Sequence, residues 1–421
     1  MIFVLFLGLI ILGIPIAVSL GISGIFIIIT KHLGISVLSP NFYSDIAKFP
    51  LLAIPFFILA GKIMEKIGMA EKIVALAALL GKYIDRSLSI IAVIAGMFWA
   101  AVSGSGPADT AALSSIFVPG MKKSGYPKPF SAALIAAAGS LGIIIPPSIA
   151  LIIYADITNS SVAALFAAGI IPGIVVGLFL IITSYFVSKR FKISEKIEKV
   201  KDKSSHKGAI WALVAPFIIL GGIYAGIFTP TESAVVAVVY GFFVGTVVYR
   251  NLTWKLLYEI LVDSLLNSSM IMVIVAFAGI MSWAASTVGT MDAITRFFIS
   301  SVHSKLEMIA MINILLLFAG MFLDAISIFY IFLPIFIPIM GQFGFNPIWF
   351  GILMVVNLAI GQITPPLGVN LFVASKIARV SVEDISRYEL FFIVAAVLAL
   401  TVLIFVPEIA LIIPKIFHLS A

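Results

Sequence analysis

The 421-residue chain contains no cysteine and only four histidines. Disulfides and thiolate metal sites are therefore excluded, and a histidine-based cluster has almost nothing to draw on. Charge is scarce too: Asp, Glu, Lys and Arg make up 11% of residues against 62% hydrophobic, and mean hydropathy is +1.23. Soluble domains hold roughly 45–50% apolar residues, so this composition is that of an all-α polytopic membrane protein. No Gly-x-x-x-x-Gly-Lys-Ser/Thr loop is present, which removes a phosphate cradle for ATP. The net charge of +7 does not point to nucleic acid. Lys189, Arg190, Lys192, Lys196, Lys199, Lys201, Lys203 and Lys207 crowd one inter-helix loop, the pattern of a cytoplasmic loop beside anionic lipid.

What the chain does have is one interrupted segment written twice. Gly96-Met-Phe-Trp-Ala-Ala-Val-Ser103 is matched by Gly320-Met-Phe-Leu-Asp-Ala-Ile-Ser327, with five identities in eight positions. Beyond the polar tips the match resumes at an offset of 219: Phe117 and Pro119 with Phe336 and Pro338, Gly125 with Gly344, Gly142 with Gly361, and Pro146-Pro147 with Pro365-Pro366. Gly- and Pro-interrupted apolar segments at matching places in two halves point to a transporter's binding site.

Hydropathy places spans at 2–30, 50–67, 129–158, 161–188, 208–228, 231–249, 265–287, 347–377 and 390–413. The uncharged first segment, without a basic n-region, reads as a retained span rather than a cleaved signal. Two further apolar segments, 88–121 and 306–341, carry a polar interruption in the middle. Each of their legs is ~15 residues, too short for ~30 Å at 1.5 Å per residue, so both read as re-entrant hairpins. With the N-terminus inside, 21 of the 26 Lys and Arg fall on the cytoplasmic side, and the C-terminus lies outside. The first hairpin then opens to the cytoplasm and the second to the exterior, which inverts the repeats. The span 208–228 is the connector that reverses the second half. Stretches 69–85 and 289–302 suit helices lying in the interface, though short loops would also satisfy them.

Four helix breaks follow: the tips 103–110 and 323–327, and the interruptions Gly139–Gly142 and Gly361–Thr364, each of which restarts at a Pro pair. Unsatisfied backbone at membrane depth is tolerated only where it lines a cavity. Free carbonyls there can hold Na⁺, and helix N-termini attract an anion. The competing explanation, Pro kinks that merely bend long helices, suits Pro15, Pro55 and Pro172 better. Asp324 sits among apolar neighbours, and a carboxylate at that depth marks an ion or substrate path. No Lys or Arg falls in a predicted span core to pair with it, so an anionic substrate would need N-termini, hydroxyls and bound Na⁺. Asp109 reads equally as a helix cap or a ligand, Glu232 as an N-terminal cap, and Asp156 and Asn159 as ordinary span ends.

At these residues the sequence resembles the large membrane subunit of TRAP (tripartite ATP-independent periplasmic) transporters. The resemblance rests on Ala101-Val-Ser-Gly-Ser-Gly106, Pro119-Gly-Met121, Ser124-Gly-Tyr126, Gly142-Ile-Ile-Ile-Pro-Pro-Ser148, Gly169-Ile-Ile-Pro-Gly173, Gly226-Ile-Phe-Thr-Pro-Thr-Glu-Ser233 and Gln362-Ile-Thr-Pro-Pro-Leu-Gly368. The Gly106-Pro107 pair departs from the small-polar pattern expected at that tip. The resemblance implies an elevator-type secondary transporter of the bacterial inner membrane. Such a protein imports organic acids with Na⁺, works with a small membrane subunit and receives substrate from a periplasmic binding protein. No small subunit is expected to be fused ahead of the first span. On this resemblance one Na⁺ site is expected from Ser103, Ser105, Gly139 and Gly142, and another from Ser327, Gly361 and Thr364. Substrate is expected near Ser103, Ser148 and Asp324. These hydroxyls and a single carboxylate lean towards a polyhydroxylated acid such as sialic acid. C4-dicarboxylates, other carboxylates, and an anion transporter that needs no binding protein remain alternatives.

The implied organisation is scaffold with an interfacial arm (1–87), transport part (88–188), basic loop (189–207), connector and scaffold with a second arm (208–303), and transport part (304–421). A serine protease is the enzyme alternative, but His32, His206, His303 and His418 all fall in loops or termini, which leaves the serines without a base; no enzyme activity is expected. A channel would share the hairpins and differ in its flux.

Overall fold

A computed structural model describes residues 2–81, 87–191 and 208–419, and among these every regular element is helical. Most of the basic loop, with Lys82 and Arg86, lies outside the described residues.

Both hairpins form as the Gly and Pro pattern requires. The first pairs Ser87–Ser103 with Gly106–Lys123. Gly104 turns the chain at φ +70°, a left-handed conformation in which a side chain is disfavoured, and Pro107 falls in the first turn of the second leg, where no N–H is missed. The second pairs Lys305–Gly320 with Ala325–Phe343, capped by Asp324. The first legs, 17 and 16 residues long, rise only roughly 24–26 Å. The broken helices are likewise twofold. Lys128–Ser140 runs into a 3-10 turn at Leu141–Ile143 and restarts as Ile149–Thr158, while Pro347–Gly361 restarts as Val369–Ala378. The Pro146-Pro147 and Pro365-Pro366 bonds are both cis. Restarted helices end on left-handed residues at matched places, Asn159 and Arg379.

The surrounding spans differ from the hydropathy reading in how they are built. Five described helices are long and apolar enough to cross a membrane: Val162–Arg190, Pro230–Val248, Trp254–Thr287, Ala325–Phe343 and Val382–Phe405; Ala325–Phe343 is the second leg of the second hairpin, and at 19 residues it is longer than the short leg expected of it. The pair Ile35–Ile46 and Phe49–Lys66, bent by 60°, would make a sixth. The segment 2–30 is split into Ile2–Ile11 and Ile16–Thr30, because Pro15 cannot donate to the preceding turn. The last span begins at Val382 and stops at Phe405, ahead of Pro407, with a short helix Glu408–Ile416 beyond. Hydropathy sums apolar residues across such breaks and so merges shorter helices. The arms appear as Met69–Gly81 and Thr290–Ser300. Glu232 closes a capping box with Thr229, as expected of it, and Glu307 does the same with Ser304.

Two buried carboxylates were not singled out by sequence. Asp156, read as an ordinary span end, holds Lys48 at 2.9 Å and so ties the restarted helix to the segment before Phe49–Lys66. Glu389, on Val382–Phe405, is fully buried and neither of its oxygens has a hydrogen-bond partner. An unsatisfied buried carboxyl is a net cost, and replacing it with an apolar side chain of similar volume removes that cost. Glu389→Met is therefore expected to raise stability by about 1–3 kcal/mol, read as a higher melting temperature of the detergent-solubilised protein.

Candidate functional site: a cavity between the two tips

The hairpin tips and two neighbouring helices enclose a cavity of about 520 Å³, within the range of small-molecule sites. Ser103, Ser105 and Trp99 line it from the first hairpin, and Asp324 and Ile326 from the second. Lys62 and Glu65 of Ala53–Lys66, a helix whose Gly61 packs on Ser103, complete the lining with Asn267 of Trp254–Thr287. Two tips separated by about 220 residues of chain thus share one space, mostly apolar with a few polar groups.

Around the first tip, the expected residues gather about a carboxylate. A Cβ on Gly142 would run into the Asp109 carboxylate and come within 3.0 Å of the Ser105 carbonyl carbon. Gly139 is pressed against Thr110 in the same way. Ser103 Oγ accepts from the Ser105 N–H at 3.3 Å. Asp109 itself is fully buried beside the Ser103 side chain, and neither its oxygens nor the Thr110 hydroxyl has a hydrogen bond of good geometry. It is not a cap: it lies one residue too deep in Gly106–Lys123 to receive the first free N–H groups. A buried, unpaired carboxylate is strongly unfavourable, so this donor set fits a hard cation that takes oxygen ligands. Among the described residues there is no cluster of three His, Cys, Asp or Glu that would instead suit a transition metal.

Around the second tip the polar groups are already partnered. Asp324 Oδ2 accepts from the N–H groups of Ile326 and Ser327, at 3.0 and 3.2 Å, and Ser327 Oγ donates to Asp324 Oδ1 at 2.6 Å. Thr364 Oγ1 donates to the Ile360 carbonyl at 2.6 Å. Gly361 packs on the backbone of Gly320, at the end of the first leg of its own hairpin. Ser148 does not line the cavity. Its hydroxyl donates to the Ile143 carbonyl at 2.5 Å and caps the restarted helix by accepting from Leu151 N–H at 3.4 Å, while its neighbour Ile149 faces the cavity.

Three features escaped the sequence reading. Lys62 brings a cation to the cavity, which corrects the expectation that none reaches it; its place in the last two turns of a span had assigned it to the cytoplasmic edge. Gln362 and Asn370, from the second break, reach the first tip: a Cβ on Gly106 would collide with the Gln362 side-chain oxygen and lie 3.3 Å from Asn370 Nδ2. The buried side-chain oxygens of both amides lack partners. The motif Gln362-Ile-Thr-Pro-Pro drew attention to its Thr and Pro, and the Gln went unweighed.

Paired hairpins, paired broken helices and a cavity shared by the two tips define a membrane transport permease built from two inverted repeats. The chain belongs to the family described as the tripartite ATP-independent periplasmic transporter DctM component, which it matches over residues 3–409. It is 38% identical over 411 residues to the isethionate TRAP transporter permease protein DctMQ of Oleidesulfovibrio alaskensis, covering 97% of this chain but only 64% of that longer protein. The C4-dicarboxylate TRAP transporter large permease protein DctM of Pseudomonas aeruginosa is 38% identical over 400 residues, 94% of each chain. The sialic acid large permease SiaM of Vibrio cholerae is 32% identical over 414 residues, 98% of this chain and 97% of its own. Among solved structures, the YdaH transporter of Alcanivorax borkumensis superposes with a TM-score of 0.69 at 15% identity, covering 93% and 90% of the two chains. That likeness is one of fold.

Proposed function

We propose that this permease imports an organic acid in symport with Na⁺, by elevator-type alternating access, across the bacterial inner membrane. The observation that carries the coupling is the buried Asp109 carboxylate, with no hydrogen bond of good geometry, beside Ser103, Ser105 and Gly142. With Na⁺ there, the first tip loses its uncompensated charge and becomes part of the wall that faces substrate. Carbonyls around Ser327, Gly361 and Thr364 supply the second Na⁺ site, since their hydroxyls are engaged internally. The substrate lies between Ser103 and Asp324, with Ser148 acting indirectly by setting the direction of the restarted helix. The hairpins and broken helices, within 88–188 and 304–421, move as one body against the helices of 1–87 and 208–303. The amino terminus is cytoplasmic and the carboxyl terminus periplasmic.

A small membrane subunit and a periplasmic substrate-binding protein complete the system, as the tripartite family description supports. Relatives named for sialic acid and for C4-dicarboxylates leave the acid open. The serine hydroxyls favour a hydroxylated acid such as sialic acid. The test is uptake of labelled N-acetylneuraminate, isethionate and succinate into liposomes that carry the permease, its small subunit and its binding protein. Uptake of one of them is expected to saturate and to collapse when external Na⁺ is replaced by K⁺. Equal uptake in K⁺ would remove the coupling.

A further inference from the structure

The scaffold wall of the cavity holds the charge that the tips lack. Of the described residues that line it, Lys62 alone is cationic. Its ammonium is bound to Glu65 at 2.8 Å, one turn along the same helix, and the two side chains are only 22% and 27% exposed. The same cavity is lined by Ser103 and Ser105, and by Asp324, whose oxygens are turned into its own helix cap.

An ammonium in a mostly apolar cavity needs a partner at all times, because its desolvation is otherwise uncompensated. Glu65 is that partner in the empty site. It is also replaceable: an incoming carboxylate or sulfonate can take its place against Lys62 while the Glu65 carboxylate turns to water. Such an exchange swaps one ion pair for another and costs little, whereas a neutral ligand gains nothing from displacing Glu65. The balance of fixed charge sets a second condition. Lys62 is a single positive side chain against the negative Glu65 and Asp324, so a second anionic group on the ligand has no further cationic side chain to meet and approaches Asp324 instead.

We propose that Lys62, held by Glu65 until substrate arrives, is the counter-charge for the head group of the transported acid, and that the site selects a single anionic head carrying polar substituents. This rests on the transport reading above and adds to it the residue that recognises the anion. Because Lys62 belongs to Ala53–Lys66 and the tips belong to the moving body, the contact is made in one access state only. When the acid leaves for the cytoplasm, Lys62 returns to Glu65.

The experiment is calorimetric titration of the full-length permease in nanodiscs, in Na⁺, with N-acetylneuraminate, isethionate and succinate as probes. Wild type is expected to bind at least one of the two monoanions more tightly than succinate. Lys62→Gln should weaken that binding about tenfold or more, while Lys62→Arg stays within about threefold. Glu65→Gln, which removes the competing carboxylate, should tighten it, an outcome that a purely structural ion pair would not give. Stabilisation by Na⁺ alone, read as a melting-temperature shift, should be the same in all four proteins and shows that each is folded. Wild-type affinity for the monoanion in Lys62→Gln, loss of affinity in Glu65→Gln, or preference for succinate in wild type would each overturn the assignment. Wild type that binds none of the three anions and is not stabilised by Na⁺ would overturn the transport reading as well.

Discussion

Asp109→Asn is expected to remove most of the Na⁺ response that arises at the first tip, and the sign of its effect on stability is expected to depend on which cation is present. In K⁺, wild type carries a fully buried carboxylate whose two oxygens have no hydrogen bond of good geometry, and an amide of the same shape removes a charge that was never compensated. Stability in K⁺ should therefore be unchanged or higher in the variant. In Na⁺ the order reverses. Removing one member of a buried charge pair typically costs about 3 kcal/mol, equivalent to about a hundredfold in ion affinity. A ligand at about 100 times its dissociation constant stabilises by about 2.7 kcal/mol, so most of the Na⁺-induced rise in melting temperature should vanish. Na⁺-driven uptake should fall with it. A variant whose melting temperature rises with Na⁺ as the wild type's does would place the ion elsewhere and return Asp109 to a structural role. Asp324 makes the contrast: three hydrogen bonds already satisfy it, so its replacement by Asn should alter the tip's cap without erasing the Na⁺ response.

Asp109 and Asp324 also show where sequence reading succeeds and where it stops. The hairpins and breaks were legible because Gly and Pro change what the backbone can do, and those constraints are local: Gly104 permits the turn, and the Pro pairs restart the helices. Asp324 was legible for a similar reason, as a charge between apolar residues. Asp109, by contrast, follows Pro107-Ala108 at a helix start, where an acidic residue is commonplace, and only the approach of Gly142 from another helix makes it an orphan. Lys62 was hidden by position. Near the end of a span a lysine ordinarily snorkels to water, and it is the packing of hairpin 88–121 and helix Trp254–Thr287 beside it that turns this face into a cavity wall. Ser148 shows a different limit: sequence places it at the break but does not reveal that its hydroxyl donates to the Ile143 carbonyl and accepts from Leu151 N–H.

The glycine shared by the second break and its hairpin gives the largest expected effect on folding. A Cβ on Gly361 would lie 2.7, 2.8 and 2.9 Å from the Cα, carbonyl carbon and oxygen of Gly320. All three are backbone atoms, and the residue that carries them is already glycine, so no side chain can move to make room. The break and the hairpin's first leg would have to separate, which exposes the packing that holds Pro347–Gly361 against Lys305–Gly320. Gly361→Ala should cost about 3 kcal/mol or more, at the upper end of overpacking, and give low yield or a lowered melting temperature together with loss of uptake. Gly341→Ala is the matched substitution in the same repeat. Gly341 lies inside Ala325–Phe343, is exposed, and has nothing within 4 Å of where a Cβ would sit. Alanine there gains helix propensity worth about 0.5–1 kcal/mol, so its melting temperature should rise slightly with transport intact. Opposite signs for one chemical change separate close backbone contact from a general intolerance of the second repeat to added volume. If Gly361→Ala melts as wild type does, the break does not rest on the hairpin in the way these distances require.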